Sequence, residues 1–219
     1  HELRTPMTSI KGFIEGILDN VIPQEKHREY LEIVRNEVAR LNRLVNNLLD
    51  LAKLESGEIK LIYSNFNINE LIRRCIIKLE NLITEKGLEV MADFDEDTLV
   101  SADIDSIERV LINLIHNAVK FTPEGGIIGV NTEIRNDKVI VSVADSGIGI
   151  EKEDLDRIWE RFYKVDKSRS LDTIGTGLGL SIVRNIINEH GEEIWVESEL
   201  GKGTTFHFTL KKAENASKS

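Results

Sequence analysis

A long apolar stripe between Leu31 and Ala52 is the feature that most constrains how this chain folds. Its residues recur at heptad spacing, which is typical of one face of a long helix. They are Leu31, Val34, Val38, Leu41, Val45, Leu48 and Ala52, and Leu44 and Leu51 widen the stripe. A helix from Gln24 to Glu55 would be about 48 Å long at 1.5 Å per residue. Such a stripe predicts a partner helix along its length.

A second apolar stripe precedes the first and runs from Leu3 to Val21. Its residues alternate spacings of four and three, and they are Leu3, Met7, Ile10, Ile14, Ile17 and Val21. The segment Asn20 to Gln24 contains Pro23 and interrupts the pattern, so the two stripes predict a helical hairpin. One hairpin cannot bury both stripes and their flanks, which favours two hairpins paired as a four-helix bundle in a homodimer. An intramolecular coiled coil with no other role is the alternative.

The periodicity changes after Ser56-Gly57, where the second helix is predicted to end. Helical patterns over 69–86, 105–121 and 178–190 alternate with strand-like runs over 88–94, 126–134, 138–144, 193–197 and 204–210. This order predicts an α+β sandwich of about 150 residues, with helices on one face of a mixed sheet. We therefore divide the chain into a helical hairpin at 1–60, a linker at 61–66, an α/β domain at 67–212 and a polar tail at 213–219.

Composition narrows the range of partners. With 28 Lys+Arg against 38 Asp+Glu the net charge is −10, which argues against nucleic acid, since proteins hold its phosphates with Lys and Arg. The single Cys75 excludes an internal disulfide and a Cys-rich zinc site, and the histidines lack metal-ligand spacing, so we predict no zinc.

No apolar run approaches the roughly 20 residues of a membrane-spanning helix. Because the chain opens on His1 rather than Met, we expect any targeting or membrane segment upstream of it.

Two glycine-rich elements suggest a phosphate site. Asp145-Ser-Gly-Ile-Gly149 follows a predicted strand, and Gly175-Thr-Gly-Leu-Gly-Leu180 opens a predicted helix. Glycine lets backbone N–H groups approach a phosphate, and the helix N-terminus adds a favourable dipole. Either element alone could be a turn that needs positive φ. The spacing matches neither a P-loop nor the dinucleotide fingerprint, so a different phosphate cradle is required.

A third element lies on a predicted helix, Asn113-Leu-Ile-His-Asn-Ala-Val-Lys-Phe-Thr122. Asn113, Asn117 and Lys120 recur at spacings of four and three, so they project from one face. Two amides and one ammonium there suit Mg²⁺ and the phosphates of a nucleotide, because Mg²⁺ prefers oxygen ligands. Two buried asparagines that join helix ends are the alternative. The glycine-rich elements downstream favour the ligand interpretation.

These motifs together resemble a known family. Asn113 to Thr122 is similar to the N box, Asp145 to Gly149 to the G1 box, Arg161 to Lys164 to the F box, and Gly175 to Leu180 to the G2 box. In this order they resemble the ATP-binding domain of sensor histidine kinases, with its Bergerat-type sandwich. That domain belongs to a superfamily that includes gyrase, heat-shock-90 chaperones and mismatch-repair ATPases. His1-Glu-Leu-Arg-Thr-Pro6 is similar to the H box of the HisKA-type hairpin.

The resemblance implies that ATP binds together with Mg²⁺. Asp145 would accept a hydrogen bond from the adenine amino group, while Gly147 and Gly149 shape the floor of the pocket. Asn117 would ligate Mg²⁺, supported by Asn113.

The phosphates would be held by Lys120 and by backbone amides. The residues of this predicted cradle are Gly175, Thr176, Gly177, Leu178, Gly179 and Leu180. The segment 150–174 would form a mobile ATP lid, with Phe162 and Tyr163 as its apolar anchor. Lys167 and Arg169 are candidate phosphate contacts, and a solvated charged loop is the alternative for both.

The helical register places His1 and Thr5 on the solvent face, with Glu2 beside them, if Leu3 and Met7 are core residues. The resemblance implies that a ring nitrogen of His1 attacks the γ-phosphate, that Glu2 orients or deprotonates the ring, and that Thr5 positions water in a reverse phosphatase reaction. Locally, Thr5 could instead be an N-cap with Pro6 as the first helical residue. We predict a continuous helix with a bend at Pro6.

The resemblance also implies partners and location. An aspartate-bearing response regulator would dock on the bundle below His1, around Ile10, Phe13 and Ile14. The chain would be the cytoplasmic domain of a protein anchored in the bacterial cell membrane through upstream segments. An ATPase of the same superfamily that forms no phosphohistidine, and a silent dimerisation and docking module, are the alternative functions.

Overall fold

The computed structural model describes residues 3–55, 60–96, 98–164 and 177–213, with the backbone only at 47 and 50–55. The chain divides into two compact units, a helical hairpin and an α/β unit. Among the described helices, none combines the length and the apolar character needed to cross a membrane.

Two helices form the hairpin. They are α1 (Arg4–Leu18) and α2 (His27–Glu55), and a 3₁₀ turn at Gln24–Lys26 leads into α2. Between them the chain reverses at Asn20, which has a φ of 55°. The Ile22 N–H donates to the Gly16 carbonyl at 2.9 Å. Phe13 and Tyr30 pack edge to face across the hairpin, with ring centroids 5.3 Å apart. The predicted reversal between the two stripes is confirmed.

The first helix begins earlier than a Thr5 cap would require. Leu3 already has helical angles (φ −80°, ψ −31°), and Arg4 is the first helical residue. Thr5 is exposed within the first turn, so its interpretation as an N-cap is wrong. Pro6 is tolerated because the first N–H groups of a helix have no carbonyl partner within it. His1 and Glu2 lie outside the described residues, and the bend stays a prediction.

The α/β unit alternates helices with strands. Its helices are α3 (Ile68–Lys78), α4 (Glu80–Glu85), α5 (Ile104–Phe121) and α6 (Gly179–Glu189). Its strands are β1 (Tyr63–Asn67), β2 (Glu89–Phe94), β3 (Leu99–Asp103), β4 (Ile127–Arg135), β5 (Lys138–Asp145), β6 (Ile194–Glu199) and β7 (Gly203–Lys211).

A five-stranded mixed sheet in the order β2-β4-β5-β7-β6 organises this unit. β2 runs parallel to β4, and the other neighbours are antiparallel. Alternate residues of the central strands are buried, namely Ile128, Val130, Val139, Val141, Val143, Phe206, Phe208 and Leu210. One face of α5 is also buried, through Ile107, Val110, Leu111, Leu114, Ile115, Ala118 and Val119. The predicted α+β architecture is confirmed.

The structure differs from the sequence prediction at the start of this unit. β1 and β3 form a separate antiparallel pair, with Tyr63 opposite Asp103, and the sequence analysis predicted neither strand. β1 therefore occupies most of the range 61–66, which is not a free linker. The single helix predicted over 69–86 is two helices, because Leu79 leaves the helical region (φ −105°, ψ 4°).

A buried amide ties α3 to the sheet. The Asn69 Nδ2 donates to the Asp95 carbonyl at 2.8 Å, and its Oδ1 accepts from the Thr132 hydroxyl at 2.9 Å. Asn69 and Thr132 are 5% and 4% exposed, so water cannot replace either partner. The buried polar atoms of Asn69 and Thr132 therefore have hydrogen-bond partners only if both side chains are present and polar.

We therefore expect Thr132→Val to lower the free energy of unfolding by about 1–3 kcal/mol, since the isosteric change leaves the Asn69 Oδ1 buried without a donor. Denaturant titration monitored by circular dichroism measures the change. Thr205→Val, at a part-exposed position of β7, is the matched control and should be nearly neutral. An equal loss in both variants would contradict the role of the Asn69 network.

The thiol of Cys75 is buried between α3 and α5. It is 0% exposed, and its Sγ lies 4.0 Å from the Glu108 carbonyl oxygen. Burial, with a contribution from the Glu108 carboxylate, raises the pKa of Cys75 from 9.0 to about 12, against the smaller opposing effects of Lys78 and Arg74. A thiolate is the reactive form, so the folded protein protects this group both chemically and sterically.

We expect Cys75 to resist a disulfide reagent at pH 8 in the native protein and to react fully in denaturant. Absorbance of the released thiol reports the rate in both conditions. Native labelling at the rate of the unfolded chain would contradict the burial of Cys75.

Candidate active site

The outer face of α5 carries the polar side chains predicted to bind a ligand. Asn113, Asn117 and Lys120 are each part-buried along one line of the helix, while Leu114 and Ala118 between them are buried. The predicted common face is therefore present. One side of α5 belongs to the core and the other carries these polar side chains.

Asn113 also marks where α6 meets α5. Its Nδ2 donates to the Arg109 carbonyl at 2.9 Å, one turn earlier in α5. A Cβ built on Gly179, the first residue of α6, would lie 3.0 Å from the Asn113 Oδ1. A side chain at this position would require the Asn113 amide to shift by a few tenths of an ångström. The second glycine-rich element thus begins directly against the asparagine face.

Asp145 ends β5 with a part-buried carboxylate. Its Oδ1 accepts from the Gly147 N–H at 2.8 Å. Burial raises the pKa of Asp145, partly offset by hydrogen bonds from the Gly147 and Thr204 backbone. The groups that stabilise the ionised carboxylate are backbone N–H groups rather than cations. It is therefore suited to accept a further hydrogen bond from a neutral donor.

Gly147 brings the Asp145 turn against the end of α5. A Cβ on Gly147 would lie 2.6 Å from the Phe121 carbonyl oxygen and 2.5 Å from the Asp145 Oδ1. Any side chain here would separate the two elements. The first glycine-rich element is therefore packed, backbone to backbone, against the helix that carries the asparagines.

Two further glycines let the backbone approach this turn closely. Gly149 has a φ of 72°, and a Cβ on it would clash with the Glu199 carbonyl. Gly203 has a φ of 111°, and a Cβ on it would clash with the Asp145 carbonyl. Gly203 was not among the predicted site residues, although the Gly201-Lys-Gly203 spacing is a signal that could have identified it.

Phe162 and Gly177 are joined backbone to backbone. The Phe162 N–H donates to the Gly177 carbonyl at 2.8 Å. Phe162 has a φ of 62°, which is uncommon for an aromatic residue, and Gly177 has a φ of 69°. A Cβ on Gly177 would lie 2.7 Å from the Phe162 Cα. Phe162 and Gly177, which flank the segment 163–176 and with it the second part of the predicted lid, are thus joined directly.

Tyr163 is anchored by polar and cationic contacts rather than apolar ones. Its hydroxyl bonds the Asp154 carboxylate, and the Arg157 guanidinium lies 4.4 Å from its ring centroid. The hydrogen bond to Asp154 raises the pKa of Tyr163. Phe162 is 42% exposed, so the predicted apolar anchor consists of its backbone geometry more than of buried surface.

The N-terminus of α6 offers backbone donors toward the same region. Gly179 opens the helix, Leu178 before it is fully buried, and the Ser181 hydroxyl donates to the Leu178 carbonyl at 2.9 Å. The first N–H groups of a helix are unsatisfied within it and carry partial positive charge, which favours phosphate. Leu180 is part-buried in the first turn.

The structure thus places Gly147 and Gly179 of the two glycine-rich elements against α5, the helix that carries Asn113, Asn117 and Lys120. Phe121 contacts Gly147, Asn113 contacts Gly179, and Gly177 contacts Phe162. Thr5 lies in the other unit. The remaining predicted residues lie outside the described part of the chain and are His1, Glu2, Lys167, Arg169, Gly175 and Thr176.

The donor set near Asn117 fits Mg²⁺ only together with a phosphorylated ligand. Within the described residues, no group of three His, Cys, Asp or Glu side chains could hold a metal ion. Asn117 and Asn113 are neutral, and the amide nitrogen of Asn113 already bonds the Arg109 carbonyl. Magnesium commonly binds through few protein oxygens while phosphates and water complete its shell.

Two family profiles match the chain. The His Kinase A (phospho-acceptor) domain matches residues 1–57. The histidine kinase-, DNA gyrase B-, and HSP90-like ATPase matches residues 102–214, which contain the asparagine face and both glycine-rich elements.

Individual proteins agree with these profiles. The sensor protein SrrB of Staphylococcus aureus is 39% identical over 215 residues, which make up 98% of this chain and 37% of SrrB. The solved structure of the Acinetobacter baumannii histidine kinase AdeS matches 98% of both chains, with a TM-score of 0.81 and 28% identity. The histidine kinase ThkA, solved in complex with the response regulator protein TrrA, matches 97% of this chain and 59% of its own, with a TM-score of 0.80 and 35% identity.

This chain spans little more than a third of the length of SrrB, 37%. Its two matched regions nevertheless follow each other in the order predicted from the H, N, G1, F and G2 motifs, and its α/β unit has the Bergerat fold of the matched ATPases, which implies ATP binding. The chain therefore belongs to the sensor histidine kinases of two-component systems.

Proposed function

We propose that this chain is a protein-histidine kinase that uses ATP to phosphorylate His1 and then transfers the phosphoryl group to an aspartate of a response regulator. The observation that supports this most directly is the arrangement around α5. The helix α5, which carries the asparagine face, meets Gly147 of one glycine-rich element at the Phe121 carbonyl and Gly179 of the other at Asn113. One helix thereby borders both the proposed adenine end and the proposed phosphate end of a nucleotide site.

The adenine end is assigned to Asp145. Its carboxylate accepts from the Gly147 N–H through Oδ1, and a carboxylate has further lone pairs for a ligand donor. The adenine amino group is a neutral donor, which suits a part-buried carboxylate. Gly147 and Gly149 form the floor beside it, since a side chain at either position would clash with backbone.

The phosphate end is assigned to Lys120, to the α6 N-terminus and to Asn117. Neutralisation of phosphate charge is the chemistry that Mg²⁺ supplies when bound, and Asn117 would hold it, with Asn113 in support. The cradle of backbone amides from Gly175 to Leu180 would bind phosphate oxygens. Lys167 and Arg169 would contact the phosphates when the lid closes, which would also exclude water.

The chemical step is assigned to His1 and Glu2. A ring nitrogen of His1 attacks the γ-phosphorus in line, the P–N bond forms as the bond to the β–γ bridging oxygen breaks, and ADP leaves. Glu2 accepts the proton lost by the ring. Thr5, one turn further along α1, would position water for the reverse phosphatase reaction.

A homodimer would cover the apolar surface that the single hairpin leaves exposed. Large apolar side chains of the hairpin are 40% exposed or more, namely Met7, Ile14, Leu18, Val21, Leu31, Val38, Val45 and Leu49. Two hairpins could bury these residues in a four-helix bundle. Within this arrangement, 1–60 serves dimerisation and phosphoacceptance, and the domain from Tyr63 to 212 binds the nucleotide.

The response regulator is proposed from the relative ThkA, which was solved with such a partner. Docking would use the surface of Ile10, Phe13 and Ile14 that the four-helix bundle leaves exposed; Phe13 is part-buried against Tyr30, and Ile14 is 40% exposed in the single hairpin. We further propose that the chain is the cytoplasmic core of a longer, membrane-anchored sensor. The two alternatives, an ATPase without phosphohistidine and a silent docking module, are less favoured because the phospho-acceptor match includes His1.

Incubation with γ-labelled ATP and Mg²⁺ should label the chain in a form that is labile in acid and stable in base, as expected for phosphohistidine. We expect His1→Gln to reduce labelling to background, whereas His27→Gln, elsewhere on the hairpin, retains it. Gel autoradiography after acid and base treatment measures the label. Nucleotide turnover without label would support the ATPase alternative, and label retained in His1→Gln would exclude His1 as the acceptor.

Asp145→Asn should raise the Kd for ATP by about 10- to 150-fold, because a hydrogen bond to a charged group contributes about 1.5–3 kcal/mol. Asp137→Asn, in the turn at the other end of β5, is the matched control. Isothermal titration calorimetry gives both constants. Unchanged affinity in Asp145→Asn would contradict the adenine assignment.

The affinity should also depend on pH through Asp145. The ionised carboxylate is the acceptor, so affinity holds above its pKa and falls as the pH drops through it. Because burial raises this pKa above the usual 3.8, the loss should begin at a higher pH than for an ordinary aspartate. Titrations of ATP binding across the acidic range, restricted to pH values at which the protein stays folded, measure this dependence.

A further inference from the structure

The side chain of Lys86 caps the C-terminal end of α5. Its Nζ donates to the carbonyl oxygens of Val119, Lys120 and Thr122, each at 2.9 Å. An ammonium has three N–H donors, and all three are occupied by these bonds. Lys86 comes just before Gly87, in the turn that follows α4, so it reaches α5 from a different part of the chain.

These carbonyls are ones that a helix leaves unsatisfied. The last carbonyls of α5 have no N–H partner within the helix and carry the negative end of its dipole, so a cation there is favourable. The Thr122 N–H and hydroxyl both donate to the Ala118 carbonyl, at 3.0 and 2.6 Å. The turn at the end of α5 is therefore held both by Lys86 and by the hydrogen bonds between Thr122 and Ala118.

The backbone of the Lys86 turn holds the next residues as well. The Lys86 carbonyl accepts from the Gly125 N–H at 3.1 Å, and the Glu89 N–H donates to the Gly126 carbonyl at 2.9 Å. The segment 119–126, which runs from the last turn of α5 to the residue before β4, is thus clamped by residues 86–89.

The clamped segment touches the Asp145 turn at two points. A Cβ on Gly147 would lie 2.6 Å from the Phe121 carbonyl oxygen, and a Cβ on Gly126 would lie 2.9 Å from the Ser146 hydroxyl. That hydroxyl also accepts from the Ile127 N–H at 2.8 Å. A shift of the clamped segment would therefore change the distance between the asparagine face and Asp145.

We propose that Lys86 is a positioning residue for the nucleotide site. It sets the spacing between the half that carries Asn117 and Lys120 and the half that carries Asp145, and it does so without contacting the nucleotide. Its three donors are occupied by the end of α5, which is why it is not assigned as a phosphate ligand. This inference rests on the proposed ATP-binding function.

The test compares a ligand that spans both halves with one that reaches only one half. Binding of ATP with Mg²⁺ and of adenosine is measured on Lys86→Met, which keeps the apolar stem and removes the donors, and on Lys211→Met, an exposed position at the end of β7. Thermal unfolding is followed in parallel, so that binding is measured where each variant is folded.

We expect Lys86→Met to raise the Kd for ATP about 10-fold, because a displacement of a binding group by about an ångström is costly. Adenosine, which would reach only the Asp145 half, should bind as it does to the unchanged protein. Lys211→Met should leave both constants unaltered. If Lys86→Met does not fold, Lys86→Gln, which keeps an NH₂ donor on a shorter stem, is measured by the same criteria.

Equal weakening of ATP and adenosine would overturn the inference, since it would mean a general disturbance of the pocket. A lower thermal midpoint with unchanged affinity for both ligands would also overturn it, because Lys86 would then act on stability alone. Failure of the unchanged protein to bind ATP would instead overturn the proposed function, and with it this inference.

Discussion

Close backbone-to-backbone contact at Gly147 is the constraint on which the rest of the candidate site depends. The turn after Asp145 lies so near the Phe121 carbonyl that a Cβ at Gly147 would be 2.6 Å from it. This contact joins the end of β5 to the end of α5. Without it, the carboxylate assigned to adenine would not lie beside the helix that carries the asparagines assigned to the phosphate end. A missing side chain is therefore as important to this site as any polar group.

The helix α5 serves two purposes with its two faces. Its apolar face is buried against the sheet through residues such as Leu111 and Leu114, which fixes its rotation. That rotation determines where Asn113, Asn117 and Lys120 point, because residues three and four apart share a face. Core packing thus orients the side chains assigned to ligand binding, and a substitution in the core would be expected to disturb the candidate site as well as stability.

An acidic protein can still bind a polyphosphate when the positive potential is local. The net charge is −10, yet the predicted phosphate end combines Lys120 with the N-terminus of α6. Backbone amides contribute partial charges that do not appear in a count of Lys and Arg. The opposite case is Lys86, whose ammonium binds the carbonyls at the negative end of α5. This positive charge stabilises the end of the helix and does not contact the ligand.

The local sequence pattern was enough to predict the helical hairpin, the α+β class, the buried strands and the motifs around Asn117, Asp145 and Gly179, because each depends on residues close together in the chain. It did not predict β1 and β3, since both are short and are stabilised by pairing with each other across 30 or more residues of chain. It also missed Gly203 and Lys86, whose partners at Asp145 and at the end of α5 are distant in sequence. Those contacts are visible only in the folded chain, because a hydrogen bond or a close approach between remote segments leaves no periodic pattern in either segment.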